Sequence, residues 1–167
     1  MADPVFCSQC TTRLEPRVSD GKTRLACPKE GCGFVHYGNP LPVVGAVVEH
    51  NGEVILVRNV GWPEKWFGLV TGFLEAGETP EEGILRELRE ELGLEGHIQG
   101  LIGVYAFPMR NELIVTYHVV ATGNVTLGAE LADYKRVAPD KLRPWPMGTG
   151  EAVRDWLARR NPTGGAA

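Results

Sequence analysis

The sequence carries no excess of positive charge, no long apolar run and no internal repeat, and each absence removes a class of function. A formal net charge of −4 leaves the chain without an overall basic footprint for nucleic acid. The strongly apolar runs, such as residues 41–48, fall far short of the ~20 residues that a membrane helix requires. The opening MADPVFCSQC has no apolar signal core, so the expectation is a cytoplasmic protein without membrane contact. Cysteine is missing after position 32, which concentrates any thiol chemistry in the first part of the chain. An acidic protein of this kind can meet a phosphate-bearing substrate only if metal ions bring the two together.

What is present fits one ordinary domain with a small appendage: 167 residues, 43% hydrophobic and 23% charged. Residues 1–38 hold all four cysteines, as Cys7-x2-Cys10 and Cys27-x4-Cys32, with sixteen residues between the pairs. Two such knuckles can give four thiolates to one tetrahedral zinc. Asp20-Gly21 between them is a hairpin turn signal. Disulfides or inert thiols are the competing reading, disfavoured where no secretion signal exists. A four-thiolate site leaves no position open for water, so the expected zinc is structural. His36 could substitute as a ligand, but with four cysteines available it is expected to be a linker residue. Residues 37–42, with Gly38, Pro40 and Pro42, mark the boundary to a second domain over 39–160.

Beyond that boundary, residues 41–50 and 53–58 read as strands buried on both faces and joined at Asn51-Gly52. Residues 59–66 form a loop with Trp62 and Trp66, and 67–70 a short strand leading to Gly72. Residues 97–107 and 112–123 are further strands, 124–132 a loop, and 134–137 a short strand. Residues 149–160 read as a closing helix with Val153, Trp156 and Leu157 inward, and 161–167 as a disordered tail. This order predicts an α/β sandwich with helices packed on a mixed sheet.

The most informative stretch is GFLEAGETPEEGILRELREELGL, residues 72–94. At helical periodicity Ile84, Leu85, Leu88 and Leu92 share an apolar face, and Glu87, Glu90 and Glu91 are read on the opposite side within about 100°. Three carboxylates that close repel one another unless something cationic sits between them. The stretch resembles the Nudix box, GX5EX7REUXEEXGU, with every defining position matched. Together with the four-cysteine segment, it makes residues 5–160 similar to zinc-ribbon Nudix hydrolases. That group includes the NADH pyrophosphatase branch and the FAD and ADP-ribose hydrolases. The resemblance implies a Nudix-type α/β/α sandwich preceded by a zinc ribbon. It also implies Mg²⁺- or Mn²⁺-dependent hydrolysis of a diphosphate linkage in a nucleoside diphosphate derivative.

The residue types suit that chemistry. Hard divalent cations take oxygen ligands, and they both neutralise phosphate charge and acidify the attacking water. Glu87, Glu90 and Glu91, at i, i+3 and i+4, offer such ligands from one helix, and the family implies the Gly72 carbonyl as another. Arg86 can turn to Glu90 and Glu78 and orient the carboxylates. Glu78 stands between structural support and a direct catalytic part. Glu81 and Glu82 read as acids complementing the helix dipole, with Glu82 paired to Arg86. Glu130 sits where related pyrophosphatases carry a further carboxylate; a base and a plain surface glutamate are both open readings.

Trp62, Trp66, Tyr105 and Phe107 could stack on an adenine or flavin ring, or simply pack. Of the SQPWPFPxS-type segment that marks the NADH pyrophosphatase subgroup, residues 103–109 keep only Phe107-Pro108. The expected substrates are therefore ADP-ribose, FAD, NAD(H) or a dinucleotide cap on RNA, the one nucleic-acid partner considered. Two other classes stay open: an RNA- or protein-binding regulatory module, and a prenyl diphosphate isomerase. Homodimerisation is a further expectation from related enzymes.

Overall fold

The computed structural model describes residues 3–160. The chain divides between Pro40 and Leu41 into two compact units.

In the first unit, β1 (Glu15–Ser19), β2 (Lys22–Ala26) and β3 (Val35–His36) form a three-stranded antiparallel sheet. Asp20 and Gly21 at its first turn both take positive φ, 51° and 74°, as a tight two-residue hairpin requires. Cys7, Leu14 and Cys27 are the buried residues of this unit's core, which is far too small to hold a fold alone. The four thiols are free, and their sulfur atoms all lie within 4.8 Å of one another. Cys7 and Cys32 sulfurs are 3.7 Å apart and those of Cys10 and Cys27 3.5 Å. Four sulfurs around one zinc at ~2.3 Å would stand ~3.8 Å apart at the corners of a tetrahedron. The cluster thus fits a structural zinc. His36, expected in the linker, instead extends the sheet by pairing with Leu25.

The second unit is a six-stranded mixed sheet between two helices. Its strands are β4 (Leu41–His50), β5 (Glu53–Asn59), β6 (Val70–Phe73), β7 (Glu95–Phe107), β8 (Glu112–Thr122) and β9 (Leu131–Val137). They run in the order β7-β8-β4-β5-β9, with β6 also paired to β4. One edge of β4 is shared: Val43 to Ala46 pair with β6, and Val48 to His50 with β5, both antiparallel. Its other edge carries β8 in parallel along its whole length. Helix α1 (Pro80–Leu92) covers one face and α2 (Gly150–Arg160) the other.

The alternation of β4 and β5 explains their apolar runs. Val44, Ala46, Val48, Ile55 and Val57 pack with Ile84, Leu88 and Leu92 of α1, whereas Val47, Val54 and Leu56 pack with Val153 and Trp156 of α2. A polar residue at any of these positions would be buried without a partner.

Two boundaries differ from the expected ones. The strand expected at 67–70 lies at Val70–Phe73, because β4 supplies its hydrogen-bond ladder there and Gly68 makes only a bridge to Val57. The last strand begins at Leu131, inside the expected loop, because β5 extends far enough to pair Asn59 with Leu131 across a bulge. In both cases the strand state comes from a neighbouring strand and not from local pattern. The tail over 161–167 lies outside the described residues. No helix among the described residues is long and apolar enough to cross a membrane.

Removing zinc should abolish slow amide exchange in the ribbon, residues 3–40, and leave the sheet from Leu41 onward protected. Mass-detected hydrogen exchange with and without a thiol-competing chelator checks this. Unchanged ribbon protection would mean that its small apolar core suffices without metal.

Candidate active site

Helix α1 is set at both ends before it presents any chemistry. Thr79 caps it: its hydroxyl accepts from the Glu82 N–H at 3.2 Å, and the Glu82 carboxylate accepts from the Thr79 N–H at 2.9 Å. This reciprocal box satisfies two N–H groups that the first turn leaves open. Glu82 therefore faces back to Thr79 and not forward to Arg86 as expected. Glu81 also has a partner, since the Tyr117 hydroxyl of β8 donates to it at 2.8 Å.

Arg86 spends its donors on the site. Its Nε and Nη2 bond both oxygens of Glu78 at 2.6 and 3.0 Å, and Nη2 also reaches the Phe73 carbonyl at 3.1 Å. Its Nη1 holds Glu87 at 2.7 Å and Glu90 at 3.1 Å. The bidentate pairing fixes the plane of the guanidinium, which fixes two carboxylates in turn. The Arg86 hydrogen bonds, followed by the Glu75 N–H at 3.0 Å, hold the Glu78 carboxyl below its ordinary pKa. Hydrogen bonds to Glu78, then to Glu87 and Glu90, with the charge of Glu87, raise that of Arg86 itself.

Glu87, Glu90 and Glu91 do not share one exposed face. Glu90 is open to solvent, Glu87 is mostly covered, and Glu91 is buried at 5% exposure. Glu91 lies about 20° around the helix from Ile84, so it flanks the apolar stripe and is not on the opposite side from it. Its Oε2 is buried without a hydrogen-bond partner. Burial raises its pKa to about 8, helped by the charges of Glu87, Glu130 and Glu90. Burial is also the largest cause raising Glu87.

Two glycines make the crowding sterically feasible. A Cβ on Gly72 of β6 would fall inside the Glu87 carboxylate, so any larger residue there would push Glu87 off Arg86. Gly128 is the second, and it had no role in the sequence reading. A Cβ there would collide with the Glu90 carbonyl. The loop before β9 instead closes onto the end of α1, with the Gly128 N–H on the Glu91 carbonyl at 2.9 Å and the Thr126 N–H on that of Leu92 at 2.8 Å. That contact delivers Glu130. Glu87, Glu90, Glu91, Ala129 and Glu130 line a pocket of about 280 Å³.

Such a set, four carboxylates with one orphaned buried oxygen and a guanidinium behind them, fits a hard divalent cation. The Gly72 backbone lies beside the Glu87 carboxylate.

The aromatic candidates separate. Trp62 and Trp66 sit in the loop after β5, 38% and 61% exposed. That loop is tied to the pocket by the Val60 N–H, which bonds the Glu130 carbonyl at 2.8 Å. Tyr105 points the other way. It belongs to the core beneath α2, with its hydroxyl donating to Asp155 at 2.9 Å. Strand alternation puts it on the sheet face opposite α1, so it is a packing residue and cannot stack on a ligand beside the glutamates. Phe107, at the end of β7, is half-buried on the same alternation.

Fold and site together define a class: an α/β/α sandwich whose central helix offers a carboxylate cradle for metal-assisted attack on a phosphate. The chain belongs to the Nudix family. The NUDIX domain model matches residues 39–157, and a Nudix N-terminal zinc-ribbon model matches residues 5–38. It is similar to the NAD-capped RNA hydrolase NudC of Pseudomonas aeruginosa, 30% identical over 161 residues, covering 93% of this chain and 56% of that protein. The chain thus spans about half the length of such relatives. An ADP-ribose pyrophosphatase of Methanocaldococcus jannaschii is 38% identical over 76 residues, 45% of either chain. Among solved structures, a NUDIX hydrolase from Nitrosomonas europaea superposes with a TM-score of 0.78 at 26% identity. That match covers 95% of this chain and 93% of the other.

Glu91→Gln should stabilise the zinc-loaded protein in the absence of Mg²⁺ and Mn²⁺. The folded state holds the Glu91 proton more tightly than the unfolded chain does, so stability falls as pH rises from about 4 toward 8. The variant lacks that penalty. Thermal melts across this range should show wild type dropping below Glu91→Gln near pH 8. Parallel curves would mean that neither burial nor the neighbouring carboxylates raise the Glu91 pKa.

Proposed function

We propose that this chain hydrolyses the diphosphate linkage of a nucleoside diphosphate derivative, releasing a nucleoside monophosphate, with Mg²⁺ or Mn²⁺ held by Glu87, Glu90, Glu91 and the Gly72 carbonyl. The observation that carries this is the convergence of four carboxylates on one pocket, with Glu91 Oε2 buried and unpartnered. The bound ions would offset phosphate charge and acidify the attacking water.

The chain's own residues supply the rest. Arg86 keeps Glu87 and Glu90 at fixed separation, and Glu78 keeps Arg86 in its plane. Glu130 comes from a loop anchored at Gly128 and Val60, is exposed, and faces the same pocket, so it is the group in reach of the water's proton. Trp62 and Trp66 offer exposed rings beside that loop for a base or flavin.

For the substrate, ADP-ribose, NAD(H), FAD and a dinucleotide cap on RNA form the candidate set. The activities of the Methanocaldococcus and Pseudomonas relatives support the first and the last. A homodimer, in a reducing cytoplasmic compartment that keeps the four thiols metallated, completes the proposal.

Incubation with each candidate in Mg²⁺ or Mn²⁺, with products separated by chromatography, tests it. AMP with ribose 5-phosphate, FMN or NMN(H) is the expected result. Turnover of none of them would overturn the hydrolytic reading. Within that assay, Glu130→Gln should lower kcat by about 10²–10⁴-fold with an unshifted melting temperature. An unchanged kcat would remove Glu130 from the mechanism.

A further inference from the structure

On the sheet face opposite the glutamates, a second groove of about 280 Å³ opens between β7 and the last turn of α2. Its floor is apolar: Trp156 and Ile102 are 4% and 3% exposed and belong to the core beneath α2. Its walls are cationic and polar, with Arg159, Arg160, His118 and Gln99 converging on it.

These groups are held in place. Arg159 donates from Nη1 to the Leu101 carbonyl at 2.9 Å and from Nη2 to that of Ile102. The two carbonyls lie where β7 bulges twice against β8. Arg160 donates to Glu49 at 2.9 Å and lies over the Trp156 ring at 5.2 Å. His118 bonds the same Glu49 oxygen at 3.1 Å and meets Trp156 edge-on at 5.4 Å. The Gln99 amide N–H is committed to the His97 carbonyl at 3.4 Å, which leaves its oxygen unengaged by that bond.

One carboxylate, Glu49, therefore serves Arg160 and His118, while Arg159 rests on backbone carbonyls alone. The cluster's formal charge is +1 with neutral His118 and +2 with the imidazolium, on a chain whose net charge is −4. Each guanidinium has five N–H donors, and these contacts leave several of them unused. Planar guanidinium forks are suited to phosphate oxygens. The groove has room for about nine waters, far more than a bare phosphate displaces, and its apolar floor suits a carbon ring.

We propose that this groove is a binding site for a phosphomonoester dianion bearing a sugar-sized group, with its phosphate on Arg159 and Arg160 and its ring over Trp156. The site stands independently of the hydrolytic reading. If both hold, its ligand is of the class that cleavage of a nucleoside diphosphate releases.

The test uses the full, zinc-loaded chain without Mg²⁺ or Mn²⁺, so that the acidic pocket repels phosphate. Inorganic phosphate and ribose 5-phosphate are titrated while the Trp156 indole and His118 imidazole resonances are followed. Saturable shifts are expected, tighter for ribose 5-phosphate. Arg160→Gln should weaken binding about tenfold, as loss of a charge-assisted contact does. Glu49→Gln should tighten it, because the competing carboxylate is gone, and a misfolded variant would not gain affinity. Resonances that stay still would overturn the site, as would shifts that persist unaltered in Arg160→Gln. Equal affinity for the two probes would overturn the sugar-bearing assignment.

Discussion

Like-charge repulsion inside a half-buried pocket is the constraint around which the second unit is built. Glu91 has no hydrogen-bond partner for one oxygen, and three further carboxylates face the same space. Left alone, such a set would protonate or splay apart. Arg86 prevents the second outcome by tying Glu87 and Glu90 to one rigid guanidinium, which Glu78 and the Phe73 carbonyl lock from behind. The remaining imbalance is what would draw a cation into the pocket. Stability and metal binding are thus opposed in the same side chains, a common condition at functional sites.

The rest of the fold serves that pocket by position. β4 is the axis: β6 on its first half brings Gly72 against Glu87, and β8 on its far edge brings Tyr117 under Glu81 at the helix start. The capping box at Thr79 fixes where α1 begins, and hence the rotation at which Glu87, Glu90 and Glu91 emerge. At the other end the loop through Gly128 clips onto the backbone of Glu91 and Leu92 and carries Glu130 with it. Three separate chain segments meet at one helix: β6 and the Gly128 loop by close backbone approach, and β8 by the Tyr117 hydroxyl on Glu81.

Much of this was legible in the sequence because its signals are local. The cysteine spacing, the Asp20-Gly21 and Asn51-Gly52 turns, and the acidic helix all express short-range geometry. What was misread depends on distant partners. Glu91 was placed opposite the apolar stripe, although its angular distance from Ile84 already put it at the stripe's margin; only the loop packed over it makes it buried. Tyr105 looked like a ring available to a substrate until strand alternation turned it toward Asp155 on the other face. Gly128 carried no readable signal, since its importance lies wholly in the Glu90 carbonyl beside it. Thr79 and Glu82 did carry one, the Thr-x-x-Glu spacing of a capping box, which outweighs the i,i+4 pairing assumed for Glu82.

The same alternation gives the sheet two faces of opposite electrical character. Along β8, Tyr117 points to α1 and its acidic turn, and the next residue, His118, points to α2 and its arginines. On the α1 side four carboxylates face one pocket; on the α2 side Arg160 and His118 share the carboxylate of Glu49, and Arg159 rests on backbone carbonyls. Between them lies a buried core made mostly of valines, leucines and isoleucines. Neither excess can be neutralised through the sheet, so each must draw its partner from solution. One face is suited to metal ions and the other to phosphate, the two components that a diphosphate hydrolase brings together and parts.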